Sequence, residues 1–208
     1  IYKKALCTHL EEIGFLSSKL SAAHGVWLSE VEMDSLARSG ASIVHNPASN
    51  LKLGSGVAPI AKLRARGVNV ALGTDGGDTS DTYSIFEQMR LAAFLSRIAA
   101  EDSQEWITAL DALKMGTVNG AQAIPAWRGE IGLIKPGYRA DIVLLKPSLR
   151  LRPLGDIVHQ LIFCEAGQSV DTVLVDGKVV VESGRLIGVD EEALIRRVEP
   201  ISKKMHRL

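Results

Sequence analysis

The 208-residue sequence has little cysteine, few aromatic residues and no net charge. Its two cysteines, Cys7 and Cys164, lie far apart in apolar surroundings. This usage predicts buried, reduced thiols in a cytoplasmic protein and argues against a disulfide framework. The sequence has no CxxC pair and no histidine-rich cluster, which argues against a structural zinc site. The absence of a glycine-rich phosphate-binding motif leaves a nucleotide cofactor without support.

The charge balance restricts the partners of the protein. Basic and acidic residues number 24 each, so the chain has no basic surplus for nucleic acid or an anionic membrane. No apolar run reaches the roughly 18 residues of a membrane-spanning helix. Hydrophobic residues make up 46% and aromatic residues 5% of the chain, which indicates an aliphatic core. We therefore expect a small-molecule partner, neither nucleic acid nor membrane, and leave a homo-oligomer open.

Short apolar segments alternate with amphipathic segments over the first 98 residues, which is typical of parallel β/α units. A chain with so few strands cannot close an eight-stranded barrel. It also begins within a helical pattern and without methionine, so we expect further units upstream of Ile1. The pattern predicts helices over residues 1–16, 29–38, 57–66 and 82–98, strands within 19–28, 41–45 and 68–72, and loops over 46–56 and 73–81.

The sequence changes character near residue 129. A helix over 109–123 is followed by short β segments at 141–146, 169–175 and 178–182, and by a final helix from about 190. Asp176-Gly177 between the last two segments predicts a tight hairpin turn. The predicted domains are 1–128 (barrel portion), 129–189 (β-sandwich segment) and 190–208 (C-terminal helix). Segment 156–164 is predicted to pack against the small domain, with His159 and Glu165 as ordinary surface or β-domain residues.

Three polar residues follow the predicted parallel strands. His24 ends the first strand, His45 ends the second, and Asp75 lies just beyond the third. Functional groups gather at the C-terminal ends of such strands, so these side chains are expected to meet at one face. Each residue has an ordinary alternative: a lone histidine is often a packed or capping residue, and Asp75 could cap a helix. Ser80 and Asp81 are the better cap candidates.

Polar residues are also concentrated after His45, in the segment HNPASNLKLGSG. Asn46, Ser49 and Asn50 could hydrogen-bond a heterocycle; for Ser49 and Asn50, side-chain bonds to the loop backbone are an equal alternative. The pair His9 and Glu12 has a spacing found in metal hydrolases. It lies within an amphipathic helix and not after a buried strand, so we do not assign it as a ligand pair.

Several motifs, in order, resemble the amidohydrolase superfamily: AHGVWL, VHNPASNLKLGSGVAP, GVNVALGTDG, EQMRLAAF, GEIGLIKPGYRADIVLL and TVLVDGKVV. The resemblance covers essentially the whole chain. The nearest branch contains S-adenosylhomocysteine/methylthioadenosine deaminases, guanine deaminases and triazine hydrolases. It implies an α/β fold: the C-terminal portion of a (β/α)8 TIM-like barrel with a small flanking β-sandwich.

The resemblance also implies one divalent metal ion, zinc or alternatively iron. Asp75 would bind this ion and accept a proton, and the other ligands would lie upstream of Ile1. His24 would contact the reacting water or substrate. His45, Asn46, Asn50 and Thr79 would complete the substrate site. Relatives often read TDGxxSNN where this chain has TDGGDTSDT, so Thr79 replaces a serine and the substrate is left open.

These observations predict a cytoplasmic, metal-dependent hydrolase of carbon–nitrogen bonds other than peptide bonds. The expected reaction is deamination of a purine, pyrimidine, adenosine derivative or triazine. Dechlorination or cyclic-amide opening on the same scaffold is one alternative. A catalytically inactive scaffold is another, because the chain lacks several of the ligands that the resemblance implies.

Overall fold

The computed structural model describes residues 4–205. Residues 1–3 and 206–208, which include the ends of the predicted first and last segments, lie outside the described residues. Ten α-helices and seven strands are present within this range. The helices are α1 (Leu6–Glu12), α2 (Glu30–Ser39), α3 (Pro47–Lys52), α4 (Ile60–Ala65), α5 (Gly77–Ser80), α6 (Ile85–Ala99), α7 (Ala109–Met115), α8 (Val118–Ala123), α9 (Ile157–Phe163) and α10 (Glu191–Met205). The strands are β1 (Ser21–Ala23), β2 (Ser42–His45), β3 (Asn69–Leu72), β4 (Ile142–Leu145), β5 (Val170–Val175), β6 (Lys178–Glu182) and β7 (Arg185–Leu186).

The first three strands form a parallel sheet in chain order, β1-β2-β3, as predicted. Parallel strands covered by helices bury both faces and therefore read as continuous apolar runs. Ile43 and Val70, which face each other across β2 and β3, are each 1% exposed. The helices α2, α4, α6 and α7 supply much of the remaining core, through Met33, Leu36, Leu63, Met89, Ala92, Ala93, Ala112 and Met115.

Local signals at α2 agree with the prediction. The Ser29 hydroxyl accepts from the Glu32 backbone N–H, and the Glu32 carboxylate accepts from the Ser29 backbone, which completes a capping box. Gly40 ends the helix with φ of 70°, a conformation that glycine adopts at little cost. The helix therefore begins and ends where short-range hydrogen bonding dictates.

Four predicted boundaries are wrong. The predicted loop 46–56 contains α3, because Pro47 occupies its first turn without losing a hydrogen bond. The predicted loop 73–81 contains the short α5, and Ser84 caps α6 in place of Ser80 or Asp81. The predicted helix 109–123 divides into α7 and α8, because Thr117 lies outside helical geometry at φ −130° and ψ −96°. Among residues 4–16, the first helix covers only Leu6–Glu12.

Helix α8 packs across the N-terminal ends of the parallel strands. The Asn119 amide donates to the Val70 carbonyl over 2.9 Å, and the Asn69 amide donates to the Asn119 carbonyl over 3.1 Å. Ser21 donates to the Ala123 carbonyl, and Arg128 donates to the Ser18 carbonyl over 2.8 Å. These bonds attach α8 and the residues after it to the end of the sheet opposite His24, His45 and Asp75.

Strands β4 to β7 form a separate antiparallel sheet in the order β4-β5-β6-β7. The predicted hairpin between β5 and β6 is confirmed, with Asp176 and Gly177 at φ of 51° and 76°. Both central residues of such a turn require positive φ, which glycine and aspartate accept most readily. The predicted domain limits at residues 128 and 189 stay a prediction.

The segment after residue 155 packs differently from the prediction in two respects. Helix α9 packs against α6 and α7 of the predicted barrel portion as well as against Leu149–Leu151 of the predicted small domain. Its Phe163 ring lies 5.5 Å from Phe94, and Ile162 is fully buried. Glu165 is also fully buried, and the backbone N–H groups of Ala166 and Ser169 donate to its carboxylate. Alternation in the sequence located the apolar face of α9, but it did not identify the partner of that face.

Within residues 4–205, no helix combines the length and apolar character needed to cross a lipid bilayer.

Candidate active site

The ends of the three parallel strands place His24, His45 and Asp75 at one edge of the sheet. The backbone ladder continues beyond β1, because His24 N–H donates to the Val44 carbonyl over 2.8 Å. It also continues beyond β2 and β3, where Gly73 N–H donates to the His45 carbonyl over 3.0 Å. All three strands run parallel, so their C-terminal ends meet at the same face. The predicted juxtaposition of these residues is therefore present.

Two of these residues have an uncommon backbone conformation. His24 has φ of 69° and Asp75 has φ of 61°, in the left-handed region that few non-glycine residues occupy. Such conformations cost about 1–3 kcal/mol and cluster at functional sites. Gly73 allows the chain to reach Asp75, because an added Cβ would overlap the Asn46 side-chain oxygen and lie 2.8 Å from Val44 Cγ1. Both residues thus lie just beyond the ends of their strands in a backbone conformation that departs from the extended one.

Asp75 and His24 face each other. The Asp75 Oδ2 atom lies 3.7 Å from His24 Nε2, with 30% and 42% of the two side chains exposed. Ser49 donates to Asp75 Oδ2 over 2.6 Å, and Gly76 N–H donates to Asp75 Oδ1 over 2.8 Å. The Ser49 bond, followed by the Gly76 bond, lowers the pKa of the Asp75 carboxyl below its usual value. Asp75 is therefore an anion with both oxygens oriented.

Asn50 contacts the other ring nitrogen of His24. His24 Nδ1 lies 2.8 Å from Asn50 Oδ1. Asn50 is 1% exposed, and Asn46 is 4% exposed with its amide donating to the Val44 carbonyl over 3.2 Å. The sequence assigned both asparagines to the substrate. The structure gives each of them a protein partner, and the substrate contact stays a prediction.

His45 is fully buried, and neither ring nitrogen has a hydrogen-bond partner among the described residues. Burial, with a smaller contribution from the nearby His24, lowers the pKa of His45 to about 4. His45 is consequently a neutral imidazole at physiological pH. Buried polar groups rarely lack a hydrogen-bond partner. A ligand that bonds to the ring nitrogens would satisfy them, in agreement with the predicted role of His45 near the substrate.

Thr79 and the loop after Asp75 are held by short-range bonds. The Thr79 hydroxyl donates to the Gly76 carbonyl over 2.9 Å. Lys52 of α3 donates to Asp81 Oδ1 over 2.6 Å and to the Asp78 carbonyl over 3.0 Å. These bonds attach the segment that contains Asp75 to α3. The predicted substrate contact of Thr79 stays a prediction.

The donors at this site match part of a zinc site in their chemistry. Zinc takes imidazole nitrogen and carboxylate oxygen, and a catalytic zinc ion usually has three protein ligands. His24 and Asp75 provide one donor of each kind. Over residues 4–205, no group of three or more His, Cys, Asp and Glu side chains has the arrangement to hold a metal ion. His9 and Glu12 lie in α1, where Glu12 pairs with Lys4.

Comparison with known proteins decides the family. The model of the amidohydrolase family matches residues 3–180. The chain belongs to the amidohydrolase family. A 5-methylthioadenosine/S-adenosylhomocysteine deaminase of Pyrococcus abyssi is 40% identical over 202 residues, which are 97% of this chain and 47% of the relative. This amidohydrolase chain therefore spans about half the length of the curated relatives that it matches.

Solved structures agree. An adenosine deaminase of Xanthomonas campestris with bound zinc superimposes with a TM-score of 0.94 at 32% identity, over 100% of this chain and 47% of that one. The atrazine chlorohydrolase of Arthrobacter aurescens, complexed with zinc, superimposes with a TM-score of 0.88 at 28% identity, over 94% and 43% of the two chains. The same fold thus holds zinc in relatives of two different activities.

Sequence reasoning missed the role of Ser49. Its bond to Asp75 links residues 26 positions apart, which no local pattern reveals. Ser49 and Asn50 are each 1% exposed in α3, and the sequence does not reveal this burial. Buried polar side chains need partners, so two of them side by side in the structure indicate that both hold neighbouring groups.

Proposed function

We propose that the chain is the C-terminal part of a metal-dependent deaminase that removes the amino group of an adenine-type ring by hydrolysis. The observation that carries this proposal is the Asp75 carboxylate, oriented by Ser49 and Gly76 and facing His24 at 3.7 Å. The similarity to a methylthioadenosine/S-adenosylhomocysteine deaminase and to an adenosine deaminase favours an adenosine derivative as substrate.

His24 and Asp75 would be two of the ligands or water-binding groups around a zinc ion, with the remaining ligands supplied by upstream sequence. We propose that these residues complete a (β/α)8 barrel with an adjoining β-sandwich. Iron is the alternative metal. When bound, the metal acidifies a water molecule, so that hydroxide is available at neutral pH.

The chemistry assigned to this chain is proton transfer and orientation. Asp75 Oδ2 takes a proton from the attacking water as the new carbon–oxygen bond forms at the amino-bearing carbon. The carbon–nitrogen π bond of the ring breaks in the same step, and the ring nitrogen takes a proton from an acid that upstream sequence would supply. A carboxylate whose pKa is held low is ionised before the reaction, as an acceptor must be. His24 orients the same water through Nε2. The carbon–nitrogen bond then breaks and ammonia leaves with the transferred proton.

His45, Asn46 and Thr79 form the proposed substrate side of the site. The neutral, buried His45 ring offers one donor and one acceptor, which suits the edge of a heterocycle. We further propose a cytoplasmic location and a heterocyclic small molecule as partner, and leave the oligomeric state open.

The test is Asp75→Asn in the full-length protein, with ammonia release measured from methylthioadenosine and S-adenosylhomocysteine. Loss of the proton acceptor should lower kcat by about 100-fold or more. Asp78→Asn is the matched control, because it makes the same chemical change three residues away, at an exposed position of α5. Full turnover in Asp75→Asn would contradict the proposed mechanism.

Dechlorination is the second candidate, favoured by the similarity to atrazine chlorohydrolase. Chloride release from atrazine, with no ammonia from purine substrates, would support it over deamination. Zinc content of the full-length protein separates both reactions from an inactive scaffold, which would purify without metal and release neither product.

A further inference from the structure

Two adjacent residues of α3 each hold one member of the Asp75–His24 pair. Ser49 Oγ donates to Asp75 Oδ2 over 2.6 Å, and Asn50 Oδ1 lies 2.8 Å from His24 Nδ1. Ser49 and Asn50 are each 1% exposed, so packing fixes their positions. The same short helix therefore sets the relative placement of an anion and an imidazole that are delivered by different strands.

The Asn50 contact determines where the His24 proton resides. A side-chain amide oxygen accepts hydrogen bonds and cannot donate, so the bond to Asn50 Oδ1 requires a proton on His24 Nδ1. A neutral imidazole has a single N–H, which leaves Nε2 with its lone pair. The distance of 3.7 Å between His24 Nε2 and Asp75 Oδ2 exceeds hydrogen-bond length, so no hydrogen bond to the carboxylate stabilises a proton on Nε2.

We propose that Asn50 is a positioning residue that fixes His24 in the Nδ1-protonated tautomer, with the Nε2 lone pair directed towards Asp75. The consequence for turnover rests on the proposed deaminase function; the tautomer itself does not. An Nε2 lone pair accepts a hydrogen bond from a water molecule between the two groups, or binds a metal ion. Nε2 with a proton does neither.

The competing arrangement is a reversed Asn50 amide. The Asn50 Nδ2 group has no partner among the described residues. With the amide turned over, Nδ2 would donate to His24 Nδ1 and the ring proton would move to Nε2. Amide orientation and histidine tautomer are coupled choices, so a measurement of the ring proton decides between them.

The experiment uses metal-free full-length protein labelled with ¹⁵N at the histidine rings, under mildly alkaline conditions where an ordinary imidazole is neutral. The His24 signals are assigned from their loss in His24→Gln. We expect the proton on Nδ1 in the wild type and in Asn50→Asp, which keeps an acceptor oxygen. Asn50→Leu removes the acceptor, and the ring should then populate the Nε2-protonated form.

Asn119→Leu is the control for general disturbance. It removes the hydrogen bond from the Asn119 side-chain amide to the Val70 carbonyl, at the opposite end of the strands, so it should lower stability and leave the His24 tautomer unchanged. An Nε2 proton in the wild type, or an unchanged Nδ1 proton in a folded Asn50→Leu variant, would overturn the proposal. If Asn50→Leu does not fold, the wild-type and Asn50→Asp spectra decide the question.

Kinetics of the metal-loaded protein give the second readout. Loss of an oriented partner of this kind lowers activity by about 10–100-fold. We expect Asn50→Leu to lose that amount in kcat with little change in KM, and Asn50→Asp to recover most of it. A protein that deaminates no heterocycle would refute the proposed function while the ring spectra still test the tautomer. Deaminase activity with equal kcat in Asn50→Leu and wild type would refute the role of Asn50 in turnover.

Discussion

Glu165 offers a sharp test of how a buried charge is used in this fold. Its carboxylate is fully buried, and Oε1 accepts from the Ala166 and Ser169 backbone N–H groups over 3.0 and 3.1 Å. Burial by itself would raise the pKa of Glu165. The hydrogen bonds from Ser169, Ala166 and Gly167 outweigh it, and the pKa lies below its usual value. The ionised form is therefore favoured by folding.

The magnitude follows from the two bonds. A hydrogen bond to a charged group contributes about 1 kcal/mol more than a neutral one, so the two bonds set an upper limit of about 2 kcal/mol for Glu165→Gln. The neutral glutamine avoids the cost of burying a charge, so the measured loss should lie below that limit. Glu165→Ala leaves both N–H groups without the carboxylate. An unsatisfied buried donor costs about 1–3 kcal/mol, and the half-buried Ala166 regains water, so we expect about 3 kcal/mol.

The assay is urea-induced unfolding of the full-length protein, followed by circular dichroism at several pH values. A carboxyl group with a lowered folded-state pKa stabilises above its unfolded pKa, and this contribution is lost as the pH falls through the folded pKa. The difference between wild type and Glu165→Gln should be constant from about pH 8 to about pH 5 and shrink below about pH 4. Glu101→Gln, at an exposed position, is the control. If Glu165→Ala unfolds at the same urea concentration as that control, the carboxylate does not hold this turn.

The remaining predictions concern the site. The pKa of His45 is lowered to about 4, so His45 binds a proton more weakly in the folded protein than in the unfolded protein. The free energy of unfolding of the wild type should thus fall by up to about 3 kcal/mol as the pH drops from about 6.5 to about 4. In urea titrations, His45→Gln should lack this pH-dependent loss. A pH profile that is the same in His45→Gln and wild type would contradict the burial of the ring. Gly73→Ala should cost about 1–3 kcal/mol and reduce ammonia release, because the new methyl group collides with Asn46 and Val44. Gly155→Ala, with nothing within 4 Å of the added carbon, should match the wild type in both measurements.

The regular elements of this chain were predictable because their causes are local. Capping at Ser29, the turn at Asp176-Gly177 and the buried strands before His45 and Asp75 depend on residues close in sequence. The α3 helix was missed because Asn, Pro and Ser have low helix propensity. Its stability comes instead from tertiary contacts such as the bond of Ala48 N–H to Gln88, at a separation of 40 residues.

The site was predictable in part for the same reason. Strand periodicity placed His24, His45 and Asp75 at one edge, since the ends of parallel strands meet whatever the details of packing. The partners of those residues depend on how α3 lies over the edge. Neither the bond from Ser49 to Asp75 nor the contact of Asn50 with His24 has a sequence signature. Glu165 was missed because a glutamate is rarely fully buried.

The position of α8 has a consequence for how this protein can change over time. Its bonds through Asn119 and Asn69 act on the strand ends remote from His24 and Asp75. Stabilising substitutions can therefore be placed around α8 without altering a residue that contacts His24 or Asp75.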